Sequence, residues 1–264
     1  MTKCLNILHG CLWGNGNDKD SGHTGSVCVP EIPEKDVETS KKEEPTTPIS
    51  GTASPVTIIL GTAHLINTPG KCSPDNKFRE YSHSRRLVKE IYDRLVNLGY
   101  TCVIDYLNDD MPGLSTSQEL RARVSIVNDI CKEKGPSNCI YVSVHINAST
   151  GGYEWKNATG WSIYTSPETT KSDALATCIY ETAQEILYPL GKKIRTDFGD
   201  GDADYEENFY VLKHTNCPAV LTENFFQDCK SDVAWLESEE GFNAIVEIHV
   251  RGIIKYLANL SKIS

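Results

Sequence analysis

The hydrophobic positions from Val56 onward fall into two alternating patterns. Five short apolar runs rich in β-branched residues are bounded by Gly, Pro or Asn, which is typical of buried strands. These runs are VTIIL (56–60), TCVIDY (101–106), IYVSV (140–144), WSIY (161–164) and AVLT (219–222). Between them lie longer segments with helical periodicity, so the pattern predicts strands that alternate with helices.

The helical segments are marked by apolar spacing and by end signals. The first ends at Gly99 and carries a helical series of apolar residues, namely Leu87, Val88, Ile91, Leu95 and Leu98. Thr116 and Glu119 have the spacing of a capping box ahead of a second helix. Two later helices are predicted over about residues 172–187 and 241–257. We therefore expect an α/β fold, an open, mostly parallel twisted sheet with helices on both faces.

Composition changes sharply near residue 30. The stretch PEIPEKDVETSKKEEPTTPISGTASP is rich in Pro, Glu, Lys, Ser and Thr and nearly free of large apolar side chains, as flexible linkers are. The segment before it is too short to bury a core of its own. We therefore expect a short N-terminal segment of unassigned role (1–29), a disordered or flexible linker (30–55) and one main domain (56–264).

Charge and cysteine usage limit the classes of partner. The chain has 264 residues and a formal net charge of −10, which opposes binding to nucleic acid or to anionic membranes. No apolar run approaches the roughly 20 residues that span a bilayer, and the first residues show no readable signal peptide. The ten cysteines are scattered and form no C-x-x-C pair, which favours free thiols in a reducing compartment. We expect synthesis in the cytoplasm, no nucleic-acid partner and no membrane insertion.

Polar residues near the ends of the predicted strands are candidates for chemistry, because ligand crevices of α/β sheets lie beyond the carboxyl ends of the strands. His64 comes four residues after the first run, His145 directly follows the third, and Glu223 directly follows the last. Glu80 opens the first long helix, where the positive end of the helix dipole suits a carboxylate. Two imidazoles and one carboxylate are a known catalytic zinc set that leaves a position open for water.

Each of these residues also has a structural explanation. A histidine at a strand end commonly makes only structural hydrogen bonds, and Glu80 is also explained as a charge at a helix start. Glu223 is harder to explain in this way, because it lies between an apolar strand and the residues Phe225 and Phe226. An unpaired carboxylate buried there would be costly. Spacing alone leaves the structural and the zinc-binding explanations open.

Three motifs carry a family resemblance, and they are LGTAHLINTPGKCSPDNKFREY, VSVHINAS and CPAVLTENFFQD in chain order. Together they resemble the zinc-dependent N-acetylmuramoyl-L-alanine amidases, especially forms similar to phage and Bacteroides-type lysins. The resemblance runs from about Val56 to Leu260. It implies the architecture of the zinc-dependent amidases, which is phosphorylase/hydrolase-like, and it implies that residues 56–264 are a catalytic amidase domain.

The resemblance also implies roles for single residues. The first histidine, the glutamate at the helix start and the histidine of the H-x-N segment bind Zn²⁺ in that family, and they correspond to His64, Glu80 and His145. The glutamate after the last strand, here Glu223, is the catalytic acid/base. The implied function is hydrolysis of the amide bond between N-acetylmuramic acid and L-alanine in bacterial peptidoglycan, for lysis or remodelling of the cell wall. We expect a monomer that acts on the wall after release or export.

One departure and two weaker candidates accompany this resemblance. The family usually flanks the first histidine with glycines, whereas this chain has Ala63 and Leu65, whose side chains restrict the backbone. The shape of this loop and the access of substrate are therefore less well defined. Asn147 is expected either to bind substrate or to cap the turn after its strand. Arg123 is expected either to bind a substrate carboxylate or to form a structural ion pair.

Two other functions use similar residues. A zinc carboxypeptidase acting on peptidoglycan stems would also need two histidines and a glutamate, although the helical motif H-E-x-x-H is absent from the chain. A non-catalytic peptidoglycan-binding module could keep the fold and lose the activity. Glu223 beside a complete ligand set argues against such a module, because binding alone does not require all four residues.

Overall fold

The computed structural model describes residues 56–106, 114–150, 153–168, 170–199 and 201–263. Its strands are Thr57–Thr62 (β1), Thr101–Ile104 (β2), Cys139–Asn147 (β3), Trp161–Thr165 (β4), Tyr205–Glu206 (β5) and Ala219–Phe226 (β6). Its α-helices are Glu80–Asn97 (α1), Thr116–Lys134 (α2), Lys171–Leu187 (α3), Tyr210–His214 (α4), Lys230–Leu236 (α5) and Glu239–Ile263 (α6). The expected N-terminal segment (1–29) and linker (30–55) lie outside the described residues, so the domain division stays a prediction.

The described strands form one sheet with the order β2-β1-β3-β6-β4-β5. The neighbours β2, β1, β3 and β6 are parallel, whereas β4 runs antiparallel to β6 and β5 follows the direction of β4. The predicted α/β fold with a mostly parallel sheet is confirmed. Because β2 and β3 lie on opposite sides of β1, the winding of the chain reverses at β1, and ligand crevices form at such points.

Successive residues of the central strands contribute to two separate cores. In β1, Ile58 and Leu60 pack with residues of α1, α3 and α6, whereas Ile59 packs with residues of α2 and α4. All three side chains are fully buried. This alternation follows from the two-residue period of a strand. Helices therefore cover both faces of the sheet, as predicted.

The capping box of α2 lies one residue earlier than predicted. Ser115 has the extended conformation of an N-cap residue, and its side chain accepts a hydrogen bond from the Gln118 amide nitrogen. The Gln118 side chain accepts in return from the Ser115 amide nitrogen at 2.9 Å. The prediction for Thr116 and Glu119 was wrong, because Thr116 is already helical and Glu119 is buried beneath the helix.

The strands β3 and β6 extend further than their apolar runs. His145 and Glu223 were expected directly after these strands but lie inside them, because backbone pairing continues to Asn147 and Phe226. The two residues face each other across the β3–β6 ladder. Both side chains therefore have positions set by a sheet, which is more rigid than a loop.

Four short elements were not predicted. They are β5, α4 and α5, with two, five and seven residues, and a three-residue 3₁₀ helix, Pro136–Asn138. Segments of this length contain too few apolar positions to show a period. Among the helices in the described ranges, none combines the length and the apolar character needed to cross a membrane.

Candidate metal and catalytic site

Three elements bring two histidines and a glutamate to the carboxyl edge of the sheet. His64 follows β1, His145 lies within β3, and Glu80 is the first residue of α1. Because the pairing of β1 with β3 ends at Thr62 and Val144, His64 and His145 both lie just beyond the end of this pairing, at nearly the same level. Ligand atoms of His64, Glu80 and His145 all lie within 4.8 Å of one another. The structure thus contains a His/Glu/His group of metal-binding type.

The Glu80 carboxylate lies between the two imidazoles. Its Oε1 atom is 3.1 Å from His145 Nδ1 and 3.6 Å from His64 Nε2. The same oxygen accepts a hydrogen bond from the Ile146 amide nitrogen at 3.2 Å. The imidazole rings meet edge to face, with centroids 5.0 Å apart. Contacts to the backbone and the helix start therefore hold the carboxylate in place.

Several atoms of this group that could bind a metal ion are buried and have no hydrogen-bond partner among the described residues. They are His64 Nδ1, His64 Nε2 and Glu80 Oε2. A buried polar atom without a partner is costly, and a bound cation would satisfy it. Two imidazoles with one carboxylate form a donor set that suits zinc and related divalent ions. The three side chains therefore fit a divalent metal ion.

The protonation states of His64 and Glu80 also suit a cation. Burial lowers the pKa of His64 to about 3, so its imidazole is neutral at pH 7. Burial by itself would raise the pKa of Glu80, but His64, His145 and Lys71 outweigh it and lower this pKa to about 2. Metal ions bind neutral imidazole and ionised carboxylate. These residues therefore need not lose protons before a metal ion binds at neutral pH.

Glu223 lies beside the metal-binding group. It is directly opposite His145 in the ladder of β3 and β6. Its Oε2 atom is buried and has no hydrogen-bond partner among the described residues. Burial raises the pKa of Glu223 well above its ordinary value, and the Glu80 carboxylate adds to this effect. A carboxyl group that holds a proton more tightly than usual suits a residue that must accept and then release one.

The loop that carries His64 is held from both faces of the sheet. From α1, the Ser84 hydroxyl accepts from the Ala63 amide nitrogen at 2.8 Å and donates to the Val144 carbonyl at 2.6 Å. From α2, the Arg123 guanidinium donates to the His64 carbonyl at 3.1 Å. Ser84 thereby joins the segment before His64 to the segment before His145. The distance between the two histidines is thus set by contacts outside the metal-binding group.

His64 itself adopts the backbone conformation that glycine usually supplies. Its φ angle is 46°, in the left-handed region that side chains disfavour. Neither Ala63 nor Leu65 has a positive φ, so the loop does not require glycine at these two positions. Ala63 and Leu65, which replace the glycines usual in the family, therefore fit the backbone conformation of this loop. Surrounding contacts must hold the strained conformation, as is common at functional sites.

Arg123 lies beneath this loop rather than in an open crevice. The residue as a whole is 2% exposed. It donates to Asp105 at 3.0 Å, to Glu119 at 3.1 Å and to Thr62 Oγ1 at 3.0 Å, besides its bond to the His64 loop. Every guanidinium nitrogen is thus engaged by the protein. The structure does not show the expected contact to substrate through Arg123, and the geometry favours the structural ion pair.

Asn147 ends β3 and begins the turn that follows. Its side-chain oxygen accepts from the Ala148 amide nitrogen at 2.8 Å, and its carbonyl accepts from the Gln227 amide nitrogen at 2.8 Å. These bonds match the turn-capping alternative. Asn147 also lines a cavity beside Arg195, so a contact to substrate stays a prediction.

Sequence reasoning missed three residues that position this site. Ser84 lies four residues after Glu80, so the helical repeat could have placed both on one face of α1. Asp105 directly follows β2 at the same edge, and the rule that found His145 would also have found it. Asn224 donates to the His145 carbonyl at 2.9 Å and accepts from Trp161 Nε1 at 2.8 Å. No local pattern singles out Asn224.

A comparison with known protein families agrees with this geometry. The sequence profile of the family described as N-acetylmuramoyl-L-alanine amidase matches residues 58–255, about three quarters of the chain. The chain belongs to this amidase family. The matched range contains His64, Glu80, His145 and Glu223. The resemblance drawn from the three motifs is confirmed.

Curated relatives of this amidase-family chain include phage and bacterial proteins. The chain is 36% identical over 128 residues to an endolysin of Bacillus phage SPP1, which covers 47% of this chain and 41% of the endolysin. It is 32% identical over 127 residues to the N-acetylmuramoyl-L-alanine amidase CwlM of Bacillus licheniformis, covering 46% and 42% of the two proteins. The aligned region is thus less than half the length of either relative.

Solved structures of other amidases have a similar fold. The N-acetylmuramoyl-L-alanine amidase from Clostridium difficile 630 has a TM-score of 0.63 at 23% identity, covering 78% of this chain and 98% of the other. The catalytic domain of CwlV from Bacillus (Paenibacillus) polymyxa var. colistinus has a TM-score of 0.59 at 21% identity, covering 77% and 98%. At these identities the likeness shows the fold alone.

Proposed function

We propose that this chain is a zinc-dependent hydrolase that cleaves the amide bond between N-acetylmuramic acid and L-alanine in bacterial peptidoglycan. One observation carries the proposal. The ligand atoms of His64, Glu80 and His145 lie within 4.8 Å of one another, and Glu223 lies opposite His145. Membership of the amidase family and the names of the relatives support the choice of substrate.

In this proposal His64, Glu80 and His145 hold the zinc ion. Zinc supplies a Lewis acid that polarises the scissile carbonyl and makes water a stronger acid. The chain holds its ligands in place through the Ile146 amide, through Ser84 and through the start of α1. Ligands fixed in this way need little rearrangement on binding, which favours affinity and a defined geometry.

Glu223 handles the protons of the reaction. Its Oε2 atom accepts a proton from the attacking water while the water oxygen bonds to the carbonyl carbon. When the carbon–nitrogen bond breaks, the same carboxyl group returns the proton to the leaving amine of L-alanine. The products are the lactyl carboxylate on the sugar and a peptide with a free amino terminus. The raised pKa of Glu223 fits the second step, in which the residue acts as an acid.

The relatives also support a place of action. One is an endolysin, and another, from Bacillus anthracis, is described as an uncharacterized cell wall amidase, so we propose that this protein acts on the bacterial wall after release or export. Synthesis in the cytoplasm and the monomeric state stay predictions.

The decisive experiment measures which bond is cut. Purified peptidoglycan is treated with the protein as prepared, with the protein plus a chelator, and with zinc restored, and new amino termini are identified. We expect L-alanine amino termini that disappear on chelation and return with zinc. Release of carboxyl-terminal D-alanine would instead indicate a carboxypeptidase. Tight binding to an intact wall would indicate the non-catalytic module.

A further inference from the structure

A polar cavity of about 370 Å³ opens beside the candidate site. Its lining includes Asn147 from the end of β3, Tyr164 from β4, and the two cations Lys193 and Arg195. None of its lining residues is acidic, although the chain as a whole has a net charge of −10. The volume lies within the range of small-ligand sites, about 300–1,000 Å³. Cations that line such a cleft attract anionic ligands.

Backbone contacts place the two cations on a defined face of the sheet. The Trp161 amide nitrogen donates to the Lys193 carbonyl at 3.0 Å, and the Arg195 amide nitrogen donates to the Trp161 carbonyl at 2.7 Å. Ile194, between them, forms a bridge with Trp161 and packs against the core beneath α1, α3 and α6. Because side chains alternate along an extended segment, Lys193 and Arg195 project towards the opposite face.

The same face carries Glu223. Ser162 of β4 is paired with Glu223 of β6, and residues 193–195 border β4 on its other side. Arg195 is therefore about two strand spacings, roughly 10 Å, from Glu223 at the level of the backbone. An extended dipeptide spans about 7 Å of this distance. The long side chain of Arg195 is able to span the rest. A peptide leaving the scissile bond would thus bring its second residue within reach of Arg195.

The Arg195 guanidinium is oriented by aromatic rings rather than by a carboxylate. Its Cζ atom lies 5.2 Å from the centre of the Phe226 ring and 5.6 Å from that of Tyr205. The ion pairs found within the described ranges do not include Arg195. A planar guanidinium held by rings can donate two parallel hydrogen bonds to one carboxylate.

Gly160 permits this arrangement. Its φ angle is 120°, and a Cβ atom there would lie 3.0 Å from Arg195 Cγ and 3.1 Å from the Lys193 carbonyl oxygen. Both separations are tighter than side chains normally accept, and the φ angle disfavours any residue with a Cβ. The close approach of residues 193–195 to β4 therefore depends on glycine at this position.

We propose that Arg195, assisted by Lys193, binds the free carboxylate on the second residue of the peptide stem and makes the enzyme prefer ionised stems over amidated ones. This inference rests on the proposed function, because it names a part of the same substrate. In the stem the residue after L-alanine is joined through its side-chain carboxyl, so its α-carboxyl group is either ionised or amidated. Arg195 distinguishes these two forms by charge.

The test uses two soluble muramoyl tripeptides that differ only in the second residue, D-glutamate or D-isoglutamine. We expect the zinc-loaded wild type to show a kcat/KM about ten- to a hundredfold higher for the carboxylate form, as one charge-assisted pair provides. Arg195→Gln should lose this factor on the carboxylate form and change little on the amide form. Arg195→Lys should keep part of the preference, because it keeps the charge.

The matched control is Arg251→Gln, which is the same chemical change at an exposed residue of α6 that pairs with Glu185 of α3. We expect this variant to hydrolyse both tripeptides at the rates of the wild type. Equal wild-type rates on the two substrates, or equal losses on both in Arg195→Gln, would overturn the carboxylate subsite and leave the proposed function standing. Failure of the zinc-loaded wild type to hydrolyse either substrate would contradict the proposed function and this inference with it.

Discussion

The two ends of the central strands differ in chemistry although both open into cavities. At the carboxyl end, buried atoms of His64, Glu80 and Glu223 lack partners among the described residues. At the amino end a larger cavity of about 880 Å³ is lined by residues such as Cys139 and Cys217. Burial raises the pKa of Cys139 to about 11, so its thiol stays protonated and behaves as a small apolar group. The unpartnered atoms of His64, Glu80 and Glu223 therefore distinguish the carboxyl end from the amino end, whereas cavity volume does not.

The largest effect is expected from a substitution at His64, in the metal-binding group at the carboxyl end of the strands. We expect His64→Ala to lose bound zinc and to reduce amide hydrolysis to background, because two ligands rarely hold a catalytic zinc ion. Metal content and the release of L-alanine amino termini are measured on the same preparation. His214→Ala is the matched control, since His214 is an exposed residue of α4. A variant at position 64 that kept both zinc and activity would remove His64 from the metal site.

Glu223→Gln separates metal binding from proton transfer. Glutamine keeps the size of the side chain but cannot carry the proton, so we expect zinc content to stay near that of the wild type and turnover to fall about 10²- to 10⁴-fold. Glu237→Gln, at an exposed position after α5, should leave both unchanged. Normal hydrolysis by the variant at position 223 would require another acid/base.

The third prediction concerns the pH dependence of stability and the buried residue His249, which packs against β6 near the candidate site. His249 is fully buried, lies 2.8 Å from the Thr222 hydroxyl and contacts the Ile245 carbonyl at 2.7 Å. Burial lowers the pKa of His249 to about 4. An unfolded histidine binds a proton near pH 6.5, before the folded one does, so stability falls as pH drops from about 6.5 towards 4.

The contribution of His249 to this loss should be about 3 kcal/mol in the free energy of unfolding. Urea unfolding of the metal-free wild type and of His249→Asn, followed from about pH 7 to about pH 4, measures it. We expect a shallower decline in the variant. Parallel curves would show that His249 is not the group that titrates.

The smallest effect is expected at the amino end. Cys217 is 9% exposed and lines the larger cavity. Cys217→Ala removes one sulfur atom, so we expect a loss of about 1 kcal/mol in stability and an activity within about twofold of the wild type. Thermal unfolding and the peptidoglycan assay measure the two quantities. A large loss of activity with intact folding would place functional chemistry at this end as well.

Much of the fold could be read from local patterns. The five apolar runs became strands, and the helices near residues 172–187 and 241–257 correspond to α3 and α6. The ends were less well predicted, because pairing with neighbouring strands extended β3 and β6 beyond their apolar runs. The cap of α2 was misplaced by one residue, since Ser115 and Thr116 are both good cap residues and only the backbone angles distinguish them.

In the candidate site too, some residues could be predicted from the sequence and others only from the fold. His64, Glu80, His145 and Glu223 could be named from strand ends, a helix start and three motifs. Arg123 was a possible substrate contact until the fold buried it at 2% exposure against Asp105 and Glu119. Arg195 had no sequence signal, because its position depends on a backbone bridge to Trp161 more than thirty residues earlier in the chain.

The sequence by itself determined which segments form the longer strands and helices and which four polar residues are available at one edge of the sheet. Periodicity and strand-end position are local properties, and a chain records them directly. Only the tertiary structure decided that Glu223 faces His145, that Arg123 points inward and that Arg195 reaches the cavity beside Asn147. These properties depend on register and burial, which arise from contacts between segments far apart in the chain.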